Sequence, residues 1–206
     1  RHFVEGYSSS LAGRMTVLYG ADIDARPETV GRVLPHVTLE IVGEDDRPLP
    51  AGEVGAIRVR SPAVARAIYG AARDTGDQLK NGWAYPGDTG AVDGDGFLQL
   101  MGRSSDMIIR GGVNVHPSEV EAVLAELEGV KDVAVVGFAK SREGEDIAAF
   151  VVSSPELTEA ALNAHCRGRL LSHKRPRKFV FVSDLPRNAN GKILRTELRK
   201  RLEEAD

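Results

Sequence analysis

Apolar and polar residues alternate along the first half of the chain. From Val37 to Val42 every second position is apolar, the period of a strand with one buried face. Ala56 to Arg60 repeats the pattern, with Ile57 and Val59 on one side. Between them, Glu44-Asp45-Asp46-Arg47-Pro48 is turn chemistry. Asp93-Gly94-Asp95-Gly96 is a tight turn opening onto Phe97-Leu98-Gln99-Leu100. Residues 20–103 therefore read as mainly β, a small barrel or a pair of sheets.

Beyond residue 106 the period lengthens. Val120, Val123, Leu124 and Leu127 form one helical stripe. Pro117 suits the first turn, where its missing N–H costs nothing. Glu119 and Glu121 suit the positive end of the helix dipole, and Gly129 is expected to end the helix. Val133–Phe138 and Ile147–Val152 read as strands around a polar turn, Lys140–Asp146. Thr158 can cap a helix running to about Ser172. Lys178–Val182 is a third strand and Thr196–Glu204 a terminal helix. The order α-β-β-α-β-α predicts one three-stranded sheet backed by helices. The expected fold class is α+β: a β-rich, barrel-like part over residues 1–105, then a compact module over 106–206, with the boundary near Arg103–Asp106.

At 42% hydrophobic and 28% charged, the chain can bury a core. No apolar run approaches the roughly 20 residues of a membrane helix, and no signal peptide is visible. The first residue is Arg1, so an upstream region is expected. Cys166 is the single cysteine, which excludes an internal disulfide and fits a reducing, cytoplasmic setting. Leu162, Cys166, Leu170 and Leu171 fall on one helical face, so a core thiol is expected. Residues 165–201 hold 12 Lys and Arg against 2 Asp and Glu, although the whole chain has a net charge of −3. Such a block suits a polyanion, whether nucleic acid, nucleotide or phosphorylated cofactor, or a solvated basic surface. Nucleic acid is disfavoured: aromatics in the block are limited to Phe179 and Phe181, which gives no stacking platform.

Three strings carry chemistry. In Leu185-Pro186-Arg187-Asn188-Ala189-Asn190-Gly191-Lys192-Ile193-Leu194-Arg195, Asn-Gly favours a turn with positive φ. That turn sets Lys192 at the edge of a mobile loop, where its ammonium can hold a phosphate or carboxylate oxygen. Gly82-Trp83-Ala84-Tyr85-Pro86-Gly87-Asp88-Thr89-Gly90 offers a carboxylate that can accept from two vicinal hydroxyls, or simply a turn residue. In Gly102-Arg103-Ser104-Ser105-Asp106-Met107-Ile108-Ile109-Arg110-Gly111-Gly112-Val113-Asn114-Val115-His116-Pro117-Ser118-Glu119-Val120-Glu121, adjacent glycines let backbone approach a ligand. His116, a lone histidine, reads as structural rather than as a metal ligand.

Together these strings resemble the signatures of the adenylate-forming superfamily, which holds acyl- and aryl-CoA synthetases, nonribosomal adenylation domains and luciferases. Gly31–Pro35 and Leu49–Gly55 resemble it too, so the likeness covers most of the chain. It implies that Asp88 binds the nucleotide ribose, that Arg103 contacts ribose or phosphate, and that Asp106 is a hinge. It implies that Gly111 and Gly112 form the loop of the thioester step, and that Lys192 is catalytic in adenylation. Gly6-Tyr7-Ser8-Ser9-Ser10-Leu11 aligns with the family's Tyr-Gly-x-Thr-Glu. Tyr7 would lie beside the adenine and Ser10 would face the α-phosphate. Leu11 stands where the family has the glutamate that positions Mg²⁺, and leucine cannot ligate a hard cation; no metal ligand is assigned in this chain.

The implied parent is an acyl-CoA synthetase of fatty acid metabolism or a related acyl/aryl-CoA ligase. It would use ATP, Mg²⁺, CoA and a carboxylic acid, pass through an acyl-AMP, and alternate the position of its C-terminal domain. The family's phosphate loop and most of its acid pocket would lie upstream of Arg1, so these 206 residues alone are expected to be inactive. Loading of a carrier protein and a non-catalytic nucleotide-binding role remain alternatives.

Overall fold

The computed structural model describes residues 3–68, 78–140 and 144–204. The chain divides into two compact units, Arg1–Ser105 and Asp106–Asp206.

The first unit is built of short strands and turns. β1 (Val4–Glu5), β4 (Thr16–Tyr19) and β5 (Arg32–Val33) form a three-stranded sheet in the order β1-β4-β5, and β2 (Ser8–Ser9) and β3 (Gly13–Arg14) a small ribbon. A single-turn helix, α1 (Ala21–Ala25), follows β4 and was not foreseen from the pattern. The larger sheet holds β6 (Thr38–Val42), β7 (Gly55–Arg60), β8 (Leu79–Lys80), β9 (Trp83–Ala84), β10 (Asp88–Val92) and β11 (Leu98–Arg103). Its order is β11-β10-β7-β9-β8, with β6 on β7. Among the described residues the hydrogen-bonded path stays open, so the arrangement is paired sheets, joined by a bridge between Arg32 and Phe97.

Alternation explains the core. Leu39 pairs with Val59 and Ile41 with Ile57 across β6 and β7. Ile41, Ile57 and Val59 are buried with Tyr7, Ala12, Met15, Ala84 and Leu98. Two guanidinium groups lie over the Trp83 ring, Arg58 at 4.5 Å and Arg60 at 4.4 Å, which fastens β9 to β7.

The second unit has one five-stranded sheet. The three predicted strands are β14 (Val130–Lys140), β15 (Gly144–Ser153) and β16 (Lys178–Phe181). β14 and β15 pair antiparallel from Val130↔Ser153 to Lys140↔Gly144, and β16 runs parallel to β15. A hairpin of β12 (Ile108–Arg110) and β13 (Val113–Val115) adds two more strands through Arg110↔Gly144. These two were hidden in the sequence because three-residue strands are too short to show a period.

Alternate residues of β14 and β15 bury on opposite faces, as strand geometry requires. Val135, Ile147, Ala149 and Val151 pack under α2 (Pro117–Ala125) and α3 (Glu159–Arg169). Ala134, Val136, Ala148 and Phe150 pack with Leu198 and Leu202 of α4 (Arg195–Glu203). With helices on both faces, both strands read as continuous apolar runs.

Helix ends follow local chemistry with two adjustments. Pro117 sits in the first turn of α2, and the Thr158 side chain accepts from Ala161 N at the start of α3. Gly129, with φ +93°, lies in the turn beyond α2 rather than closing it. α3 stops at Arg169 because Leu170 is already extended. That turns Leu171 outward at 64% exposure, while Leu162, Cys166 and Leu170 remain in the core.

Candidate nucleotide and lysine site

Asp88 opens β10 and Arg103 closes β11, and the two are direct cross-strand partners. Strand register thus sets Arg103 Nε 3.2 Å from Asp88 Oδ1. The other carboxylate oxygen accepts from the Tyr7 hydroxyl at 2.5 Å. Burial, then the bond to Asp88, pushes the Tyr7 phenol far above its ordinary pKa, so it stays protonated and donates. Three residues separated by up to 96 positions in sequence therefore meet around one carboxylate. The bond between Tyr7 and Asp88 was not foreseen; nothing in two distant motifs signals that they touch.

Ser10 is exposed in the turn between β2 and β3. Leu11 is partly buried and packs against the core of the first unit. Its place is an apolar contact, so this position offers no carboxylate to Mg²⁺. Among the described residues no group of three His, Cys, Asp or Glu side chains is placed to hold a metal ion.

In the second unit, Lys192 lies on a loop closed by a bridge between Arg187 and Ile193. The Asn188 side chain accepts from Asn190 N at 3.0 Å and Lys192 N at 2.9 Å. Asn188 N donates to Lys192 O at 2.9 Å. Gly191 has φ +79°, and Arg187 ties the loop to Asp132 at 2.5 Å and to Gly191 O at 2.7 Å. The loop backbone is thus closed by its own hydrogen bonds. The Lys192 side chain is exposed, without a hydrogen bond or ion pair among the described residues.

That freedom is uncommon in the basic block. Lys174 pairs with Glu119 at 2.7 Å, Arg177 with Asp146 at 3.8 Å and Arg169 with Glu126 at 3.4 Å. Arg195 pairs with Glu121 at 2.7 Å and Asp106 at 3.7 Å, and Arg199 with Asp106 at 3.6 Å. Arg175 donates to the carbonyls of Leu170 and Arg167. Much of the block is therefore matched by carboxylates lying before residue 165, which a count along the chain could not reveal. Asp106, the expected hinge residue, is the first residue of the second unit and is tied to α4 by these two arginines.

Gly111 and Gly112 are the two-residue turn between β12 and β13, with φ +58° and +78°. Two consecutive positive φ values make a tight hairpin turn that glycine adopts without strain. A Cβ at either would meet nothing within 4 Å, so conformation and not space selects glycine. The hairpin base is pinned by Arg110, which donates to His173 O at 3.1 Å and Arg175 O at 2.8 Å and lies 3.0 Å from Asp146 Oδ1. Asp146 is only 4% exposed. This anchor was also missed; the only sequence signal was a charged residue inside an apolar run.

His116 is extended, as a residue preceding proline should be, and gives α2 no side-chain cap. Its Nδ1 is buried without a hydrogen-bond partner among the described residues, and burial holds its pKa below the usual histidine value. Burial likewise pushes the Cys166 thiol up, which makes it a poor nucleophile.

Residues 119–192 match the AMP-binding enzyme C-terminal domain. A long-chain-fatty-acid–CoA ligase of Escherichia coli is 36% identical over 200 residues, 97% of this chain. An indoleacetate–CoA ligase of Aromatoleum aromaticum is 37% identical over 182 residues, 87% of this chain. The chain spans 36% of the length of each. Among solved structures, ATP-bound MatB from Rhodopseudomonas palustris superposes with a TM-score of 0.90 at 31% identity, covering 98% of this chain and 41% of that one. The fold and motifs thus define an adenylate-forming module. The chain belongs to the adenylate-forming superfamily and carries its AMP-binding C-terminal domain. No helix among the described residues is long and apolar enough to cross a membrane.

Proposed function

We propose that this chain is part of an ATP-dependent carboxylic acid:CoA ligase acting through an acyl-adenylate. The observation that carries the reading is the convergence of Tyr7 and Arg103 on Asp88. A carboxylate held on both oxygens is a fixed acceptor for the vicinal hydroxyls of a ribose, and its charge strengthens both bonds. The names of the relatives, a fatty-acyl and an aryl-acyl ligase, support a carboxylic acid and CoA as the other substrates. The lone, buried Cys166 supports a cytoplasmic setting.

In the first step the substrate carboxylate attacks the α-phosphorus of ATP. An acyl–phosphate bond forms, the α–β anhydride bond breaks, and pyrophosphate leaves. Two anions approach each other, so preorganised positive charge must meet them. Lys192, exposed and unpaired, is the residue we assign to that task; Ser10 and Arg103 are assigned to the nucleotide phosphate and ribose. In the second step the CoA thiol attacks the acyl carbonyl and AMP leaves. We assign the Gly111–Gly112 turn to this step and Asp106 to the pivot between the two. Position 11 supplies no Mg²⁺ ligand, so the ion would come with the nucleotide and be held by groups other than Leu11.

Acid-dependent ATP–pyrophosphate exchange by the full-length protein, over fatty and aromatic acids and then with CoA added, tests the reading. Exchange with one acid class, followed by thioester on adding CoA, supports it. ATP binding without exchange for any acid would favour the non-catalytic reading, for which the partly buried Leu11 is the specific support. Thioester only on a carrier-protein arm would replace CoA as the acceptor. The 206-residue chain by itself is expected to make no AMP, and steady AMP release by it would refute that.

A further inference from the structure

Tyr7 is held at more than one point. Its backbone N donates to Thr16 Oγ1 at 3.0 Å, and that hydroxyl donates to Val30 O at 2.5 Å. Met15 N donates to Tyr7 O at 2.9 Å. Thr16 is fully buried and Tyr7 nearly so. The Tyr7 backbone is therefore anchored at Met15 and Thr16, at the start of β4, and not on the strand that carries Asp88. On its far side Asp88 faces Arg103. A carboxylate has about four lone-pair sites. Tyr7 donates to one oxygen and Arg103 Nε stands 3.2 Å from the other as an ion pair, so each oxygen keeps at least one site for another donor.

We propose that Tyr7 is a positioning residue for ribose recognition: its hydroxyl sets the plane of the Asp88 carboxylate, so that each oxygen can accept from one of two vicinal hydroxyls. This differs from the adenine-side role that the resemblance implies, because a ring beside the base needs no oxygen whereas this role needs the oxygen and little else. The proposal rests on Asp88 as the ribose-binding residue.

The test compares ATP with 2′,3′-dideoxy-ATP, which has the same base and phosphates and no diol. Binding is measured for the full-length protein and for Tyr7→Phe, Asp88→Ala and the double variant. The unmodified protein should favour ATP by about thirtyfold, the scale of charge-assisted bonds. Tyr7→Phe should weaken ATP about five- to tenfold and dideoxy-ATP less than about twofold. In the Asp88→Ala background, Tyr7→Phe should add nothing. Equal losses for both nucleotides, no loss for either, or additive losses in the double variant would overturn the proposal while leaving Asp88 on the ribose. An Asp88→Ala protein that still prefers ATP to the same degree would instead remove the ribose assignment, and the proposal with it. Tyr7→Phe keeps the buried ring, so an unchanged unfolding midpoint is expected alongside the selective loss.

Discussion

The carboxylate at the start of β10 and the lysine on the loop before α4 are held in opposite ways. Asp88 is gripped by side chains on both oxygens and is largely buried, at 17% side-chain exposure. Lys192 has a backbone stapled by Asn188 and a side chain left free. A group that must always recognise the same diol gains from a fixed orientation. A point charge that serves one step and must then yield gains from a long stem with no ground-state partner. Ion-paired residues of the second unit, Arg110 above all, resemble Asp88 and not Lys192.

Arg110→Ala sharpens this contrast most. It would remove the guanidinium that stands 3.0 Å from the buried Asp146 carboxylate, and should destabilise the protein by about 3–5 kcal/mol. Urea unfolding measures it, and a loss below about 1 kcal/mol would mean the pair is ornamental. Lys192→Ala should do the reverse. Stability should change by less than about 0.5 kcal/mol, as for an exposed side chain. Pyrophosphate exchange should fall about 10²- to 10³-fold, while thioester formation from supplied acyl-AMP survives. Equal loss in both steps would break the comparison.

Gly112→Ala probes the hairpin turn. A side chain at φ +78° costs about 1–2 kcal/mol, and the open space around it means no clash adds to that. The expected readout is a modest stability loss with a larger loss in the thioester step than in adenylation.

His116 gives the smallest effect. Its pKa is depressed in the folded state, so the folded form binds its proton less readily than the unfolded chain. Stability is full above the ordinary histidine pKa and falls as pH drops through that value toward the folded one. His116→Ser should flatten this decline between about pH 7 and 5 and add about 0.5–1 kcal/mol by capping α2. Thermal unfolding across that range is the check, and an unchanged slope would acquit His116.

Much of the second unit could be read directly because its signals are local and long. Eleven residues of β14 and ten of β15, a threonine-capped helix and a proline at another helix start leave little freedom. The first unit was legible only as strands and turns. Its elements are mostly two to six residues, so which strand neighbours which is decided by contacts between distant residues.

The sequence by itself determined the superfamily, the position of Lys192 after a turn, and the glycine pair. Those follow from side-chain chemistry and short-range backbone preference, which travel with the local string. Only the tertiary structure decided that Tyr7 holds Asp88, that Leu11 packs into the core, that Arg110 anchors on Asp146, and that most of the basic block is already paired while Lys192 is not. Each is a contact across tens of residues, and register and packing, not local preference, choose which distant groups meet.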